Sequence, residues 1–273
     1  MDRVQRITAT PPSAPRWLAE AWQQRALFGS LARKDLATRY KRASFGVLWA
    51  VALPVLQGTV LALVFSKVAR FGGTGVGYGA FVLSGIIPWS FFAASVTSAT
   101  TSITEGATLA DKVWFPRAAL VTAPVGANSL GYLASLAVLV AAAPILHGHL
   151  GLATLLLVPG TILLIAFTLG ASLCLAALNV YFRDTKFLVQ AGLLVLIYLS
   201  PVIFDPRQVV PAFAGWFDLN PLTGILGLFR ASLHADTGAL ARPLAVSVAG
   251  TIALLAAGVE VHRRHDRRFV DLL

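Results

Sequence analysis

The longest stretch without a charged side chain constrains this chain most strongly. Residues 118–182 are 65 consecutive positions without Asp, Glu, Lys or Arg. A helix needs about 20 apolar residues to cross the roughly 30 Å hydrocarbon core of a bilayer. The stretch is therefore too long for one crossing. It predicts two crossings, joined at the turn His147-Gly148-His149 that follows Pro144.

The overall composition excludes a water-soluble protein. Hydrophobic residues make up 57% of the chain and charged residues only 12%, whereas soluble domains carry about 25% charged residues. So few charges cannot cover a water-facing surface, which excludes a soluble enzyme and a disordered chain. The net charge of +10 would favour nucleic acid in a soluble protein. Here the basic residues lie between apolar runs, so we expect no nucleic-acid partner.

The uncharged stretches predict an all-α polytopic membrane protein with six spans. The spans are expected at residues 43–66, 80–101, 119–145, 152–178, 187–204 and 243–261. Residues 205–242 hold only short apolar pieces broken by prolines, which predicts re-entrant helices between spans five and six. The transmembrane domain then covers residues 43–261. Residues 1–26 form a polar segment without a signal-peptide pattern, and residues 262–273 form a basic tail.

The distribution of Lys and Arg predicts the orientation, because these residues concentrate in cytoplasmic segments. With the amino terminus inside, cytoplasmic segments carry 17 basic residues and outer segments carry 5. Both termini are therefore expected in the cytoplasm.

The sequence indicates that any energy for transport comes from another chain. An ion-coupled carrier is expected to hold a charged residue near the middle of the membrane, and the predicted spans hold almost none. The sequence has no Gly-x-x-x-x-Gly-Lys-Ser/Thr loop for ATP phosphates. We expect no catalytic residue and no cofactor in this chain, with ATP and Mg²⁺ on a partner ATPase. His147 and His149 are too few ligands for a metal site.

Residues 27–42 predict an amphipathic helix at the cytoplasmic face of the membrane. Apolar Leu27, Leu31 and Leu36 alternate with the residues expected at the interface: Arg33, Lys34, Arg39, Tyr40, Lys41 and Arg42. Such a helix binds lipid head groups, and it can also be a gate that contacts a partner subunit. The residues leave both roles open.

A short cytoplasmic segment between spans two and three places two aromatic residues beside charges. It contains Asp111, Lys112, Val113, Trp114, Phe115, Pro116 and Arg117. Aromatic and arginine side chains are enriched at protein interfaces, but aromatic residues also anchor helices at the membrane surface. Contact with a partner and anchoring are equally compatible with these residues.

Aromatic residues in the first, second and fifth predicted spans are candidates for lining a substrate channel. They are Trp49, Trp89, Phe91, Phe92, Tyr198 and Phe204. Aromatic faces stack on sugar rings, which suits a glycan path. Packing against lipid produces similar clusters, so this alternative also remains.

Several motifs resemble, in order and spacing, the type-2 ABC permeases that export O-antigen, teichoic acid and related lipid-linked glycans. They are RYKRASFGVLW (39–49), LSGIIPWSFF (83–92), KVWFPR (112–117), RDTKF (183–187), SPVIF (200–204) and NPLT (220–223). The usual Tyr of the third motif is Trp114 here. The matches cover about residues 27–233.

This resemblance implies a bacterial inner-membrane (plasma-membrane) permease that moves a lipid-linked polysaccharide outward. It implies a homodimer with two copies of an ABC ATPase subunit and a channel enclosed by the dimer. Residues 111–117 would contact the ATPase, and the amphipathic helix would form a gate beside it. Arg183 and Asp184 would belong to the cytoplasmic loop between spans four and five.

Two other functions are compatible with the sequence. A related ABC permease could export a drug or a small lipid. A membrane-embedded transferase could act alone, but the acidic loop cluster typical of membrane glycosyltransferases is missing from the sequence.

Overall fold

The computed structural model describes residues 23–41, 43–67, 77–106, 116–148, 150–209, 211–234 and 240–265, with Ser13, Pro15, Trp17 and Ala19. Within these residues every regular element is helical. The helices are α1 (Arg25–Tyr40), α2 (Trp49–Lys67), α3 (Tyr78–Glu105), α4 (Ala118–Ala142), α5 (Leu157–Tyr181), α6 (Thr185–Leu199), α7 (Pro206–Val209), α8 (Ala214–Phe217), α9 (Pro221–His234) and α10 (Ala241–His265). Short 3-10 turns precede α2, α5 and α8 at Gly46–Leu48, Leu152–Leu156 and Pro211–Phe213.

Five helical segments are long and apolar enough to cross a membrane. They are Gly46–Phe65, Tyr78–Glu105, Ala118–Ala142, Leu152–Tyr181 and Ala241–His265. Each has 20 to 30 residues, which reaches the length needed for the hydrocarbon core. The prediction of an all-α polytopic membrane protein is confirmed.

Helix α6 occupies the position of the fifth predicted span but is shorter than a complete crossing. Its 15 residues rise only about 22 Å at roughly 1.5 Å per residue. Ser200 after it is extended, with φ −112° and ψ 143°, because the residue before a proline avoids the helical region. The count of six spans, and with it the cytoplasmic position of both termini, stays a prediction.

Helix α3 is the centre of the bundle. In its most apolar stretch 72% of the residues are buried, compared with 6% for the first span, which contains α2. Helices α2, α4 and α5 pack around α3, and α10 packs against α5 and α9. Large side chains such as Ile86, Ile103 and Leu164 fill this core. Helix α1 packs along α4 and is thereby joined to the bundle.

The segment between α6 and α10 is a series of short helices stabilised by polar contacts and joined to α3 through Arg230. The guanidinium of Arg230 in α9 donates to the backbone carbonyls of Pro201 and Val202. It also lies 3.9 Å from the centre of the Phe81 ring in α3. The amide of Asn220 donates to the carbonyl of Leu199 at 3.0 Å. These contacts satisfy backbone groups that the chain exposes where α6 ends.

Candidate functional site

The predicted ATPase-contacting segment leads directly into the packing of α1 on α4. Most of this segment lies outside the described residues, namely Asp111, Lys112, Val113, Trp114 and Phe115. Pro116 and Arg117 are described, and both are buried at the start of α4.

Helix α1 covers the first turn of α4 with apolar side chains. Leu27, Phe28 and Leu31 pack against Ala119 and Leu120. Leu120 follows Arg117 by only three residues, so the contact of α1 with α4 lies next to the end of the predicted ATPase-contacting segment.

The basic residues of α1 occupy different environments. Arg33, Lys34 and Lys41 are exposed, Tyr40 is partly buried, and Arg42 lies outside the described residues. Arg39 is also exposed, but its guanidinium contacts the bundle.

Arg39 connects α1 to two membrane helices. Its Nη1 donates to Oδ1 of Asn128 in α4 at 2.6 Å. Its Nη2 donates to Asp35 of α1 at 3.0 Å and to the hydroxyl of Ser98 in α3 at 3.3 Å. The amide of Asn128 in turn donates to Ser95 at 3.2 Å. The network fixes both the direction of the guanidinium and the position of the end of α1.

A cavity of about 280 Å³ lies beside this network. It is bounded by the end of α1, the first half of α2, the middle of α3 and the middle of α4. Arg39 and Asn128 form part of its polar wall, and Trp49, Leu53 and Phe91 form part of its apolar wall. One cation, neutral polar groups and aromatic faces are thus brought together in a single chain.

The six aromatic channel candidates do not form one cluster. Trp49 and Phe91 line the cavity, where the Phe91 ring lies 4.8 Å from the Tyr132 ring. Trp89 and Phe92 are buried in the core, where their ring centres lie 5.8 Å apart.

The other two candidates lie near the end of α6. Tyr198 is 67% exposed, and Phe204 stacks edge-on against Phe217 at 5.8 Å. Tyr198 is therefore available to a second chain, to lipid or to substrate, whereas Phe204 contributes to the short helices that follow.

The predicted cytoplasmic loop forms a sharp turn between α5 and α6. Arg183 and Asp184 are both exposed there. The hydroxyl of Thr185 donates to the carbonyl of Phe182 at 2.6 Å and closes the turn. Among the described residues, no group of three His, Cys, Asp or Glu side chains is arranged to hold a metal ion.

Sequence reasoning missed the polar residues inside the membrane helices. Asn128, Tyr132 and Gln57 line the cavity, and Arg230 joins the segment between α6 and α10 to α3. A search for charged residues passes over the first three because they are neutral. The signal that could have found them is an amide or hydroxyl in an otherwise apolar span.

Comparison with known proteins connects these features to one family. The model of the ABC-2 type transporter family matches residues 26–234. The chain is 28% identical to the O-antigen export system permease protein RfbA of Myxococcus xanthus, over 94% of this chain and 98% of that protein. It is 26% identical to a protein of the same name from Klebsiella pneumoniae, over 89% of this chain and 93% of that protein.

Proposed function

Because the chain belongs to the ABC-2 type transporter family, we propose that it is the transmembrane subunit of an ATP-driven polysaccharide exporter. Its substrate is a lipid-linked polysaccharide, moved outward from the cytoplasmic side of the bacterial inner membrane. The observation that carries this proposal is the similarity to an O-antigen export permease along 94% of this chain. The five apolar helices supply the membrane part of such a machine.

ATP is hydrolysed on a separate ABC subunit, where Mg²⁺ also binds. The absence of a phosphate-binding loop from the sequence supports this division. Two copies of the ATPase serve two copies of the present chain. The homodimer is supported by the exposed apolar face of α2, with Leu53, Leu56 and Val60, and by that of α6, with Leu194 and Tyr198. Such faces need lipid or another protein surface to cover them.

Transport follows from movement of the ATPase subunits against the cytoplasmic side of the permease. ATP-driven closure of the partner pushes on residues 111–117 and on α1. The packing of Leu27, Phe28 and Leu31 on the first turn of α4 supports joint movement of the two parts. Helices α2 and α6 of the two protomers then separate and open a path for the glycan, without covalent chemistry in this chain.

Depletion of the protein in its host tests the proposed function. We expect one polyprenyl-linked polymer to accumulate on the cytoplasmic side, because synthesis continues while export stops. Mass spectrometry of lipid-linked glycans combined with sidedness labelling detects this polymer and identifies it. Normal glycans at the cell surface after depletion would contradict polysaccharide export and would favour a drug or small-lipid substrate.

A further inference from the structure

The cavity beside Arg39 has the chemical character of a site for an amphiphile that carries phosphate. We propose that it binds the phosphate group of a lipid, with the Arg39 guanidinium as the phosphate ligand. The binding site lies within one protomer, between α1, α2, α3 and α4, and is therefore distinct from a channel between two copies of the chain.

The hydrogen bonds of Arg39 prepare it for an anion. A guanidinium has five N–H donors in a planar fork that matches phosphate oxygens. Among the described residues, Asn128, Asp35 and Ser98 accept from this group, which leaves two of the five donors for a ligand. Because Asn128 and Ser98 belong to different membrane helices, the guanidinium is oriented before a ligand arrives.

The charge of the cavity wall favours an anion over a cation. Arg39 is the only charged side chain among the described residues that line the cavity, and helix α1, which carries it, has four basic residues, Arg25, Arg33, Lys34 and Arg39, against one acid, Asp35. Asp35 is paired with Arg39 at 3.0 Å, so it lowers the local positive charge without reversing it. Basic residues beside a membrane attract anionic lipid head groups.

The size and the walls of the cavity suit the phosphate end of a lipid. Ligand sites commonly enclose roughly 300–1,000 Å³, and the 280 Å³ here is sufficient for a phosphate with a short apolar stem. Trp49, Leu53 and Pro54 form an apolar wall on α2. Ile87 and Phe91 of α3 also line the cavity, so the first part of a hydrocarbon tail would lie between α2 and α3.

Two classes of lipid carry such a phosphate group, namely an isoprenoid phosphate carrier and an ordinary anionic phospholipid. The isoprenoid source rests on the proposed export function, whereas the phosphate site itself does not. Binding is therefore measured without ATP and without transport, so that its failure leaves the export proposal untouched.

The decisive variant is Ala94→Phe, which places a ring in the cavity and removes no side-chain hydrogen bond. Ala94 lines the cavity and is exposed to it. The matched control is Ala134→Phe, at an exposed position of α4 that does not line the cavity. Arg39→Gln and Arg39→Lys test the charge separately, and size-exclusion profiles verify that each variant is folded.

Native mass spectrometry of the full permease with its ATPase partner measures binding of four probes: a long-chain polyprenyl monophosphate, phosphatidylglycerol, diacylglycerol and inorganic phosphate. We expect a phosphate lipid to bind the wild type and Ala134→Phe equally. It should bind Ala94→Phe and Arg39→Gln at least tenfold more weakly, and Arg39→Lys with an affinity between the two. Preference for the polyprenyl phosphate identifies the carrier as the ligand, and equal binding of phosphatidylglycerol identifies a bulk lipid. Unchanged binding to Ala94→Phe, or equal binding of diacylglycerol or inorganic phosphate, would overturn the proposal.

Discussion

At the scale of single residues, two arginines connect parts of the chain that are distant in sequence. Arg39 and Asn128 are separated by 89 positions, and Arg230 and Pro201 by 29. The sequence predicted Arg39 as a residue of an interface helix, but its partners could not be predicted. Neutral residues such as Asn128 and Ser98 change neither charge nor hydropathy enough to be noticed, and only the packing of α1 on α4 brings them together.

Arg230 offers a stability prediction at this scale. Arg230→Met removes the hydrogen bonds to the carbonyls of Pro201 and Val202 and the contact with the Phe81 ring. Hydrogen bonds to charged groups contribute about 1.5–3 kcal/mol each, so we expect the loss of the two to cost roughly 3–6 kcal/mol. A lower thermal midpoint of the detergent-purified protein measures the effect.

The control for Arg230→Met is Arg207→Met in α7. The side chain of Arg207 is 49% exposed and forms a 3.8 Å ion pair with Asp218. Exposed pairs contribute about 0–1 kcal/mol, so this variant should melt close to the wild type. Equal midpoints for the two variants would show that the Arg230 contacts do not stabilise the segment between α6 and α10.

At the scale of the helices, uncharged stretches located most elements well. The second span was predicted at 80–101 and is found at Tyr78–Glu105, and the last was predicted at 243–261 and is found at Ala241–His265. The prediction extended the fifth span to residue 204, whereas α6 ends at Leu199. The apolar residues continue beyond Pro201, so hydropathy alone does not register the helix end that the proline causes.

Close packing of α3 against the turn after α6 gives a prediction at this scale. A Cβ on Gly85 would overlap the carbonyl oxygen of Val202, which is backbone and cannot rotate away. Gly85→Ala should therefore destabilise the protein by about 1–3 kcal/mol, as overpacking usually does. Thermal unfolding in detergent is the measurement.

The control for Gly85→Ala is Gly29→Ala in α1. Apart from its chain neighbours and the backbone of its own helix, no atom lies within 4 Å of the position where this Cβ would be. Alanine favours a helix by about 1 kcal/mol over glycine, so Gly29→Ala should be neutral or slightly stabilising. If both variants had the same stability as the wild type, the close approach of α3 to the Val202 turn would be refuted.

At the scale of the whole molecule, the exposed α2 and the segment before α4 are the parts with which the permease would meet other chains. The family and the membrane class were predictable, because charge and hydropathy act over the whole sequence. The assembly was not predictable from the sequence, since the homodimer and the ATPase contact depend on surfaces of partner molecules.

The double variant Trp114→Ala/Phe115→Ala tests the contact with the ATPase. We expect the ATPase to hydrolyse ATP while glycan export falls at least tenfold, because these aromatic residues are proposed to transmit its movement. Export assays in cells and ATPase assays of the purified complex measure the two activities.

The control for the double variant is Trp216→Ala, which removes an aromatic side chain that is 72% exposed on the segment predicted to lie outside. It should keep hydrolysis and export coupled. If the double variant exported glycan as well as the wild type does, residues 111–117 would not couple ATP hydrolysis to export.

The packing of α1 on α4 also determines the order of events while the protein is being made. Arg39 leaves the ribosome 89 residues before Asn128, and synthesis at about 5–20 residues per second makes this interval about 4 to 18 s. During that time α1 cannot form its contacts with α4. The predicted orientation of the first span then depends on the flanking basic residues alone, before the contacts that later fix α1 exist.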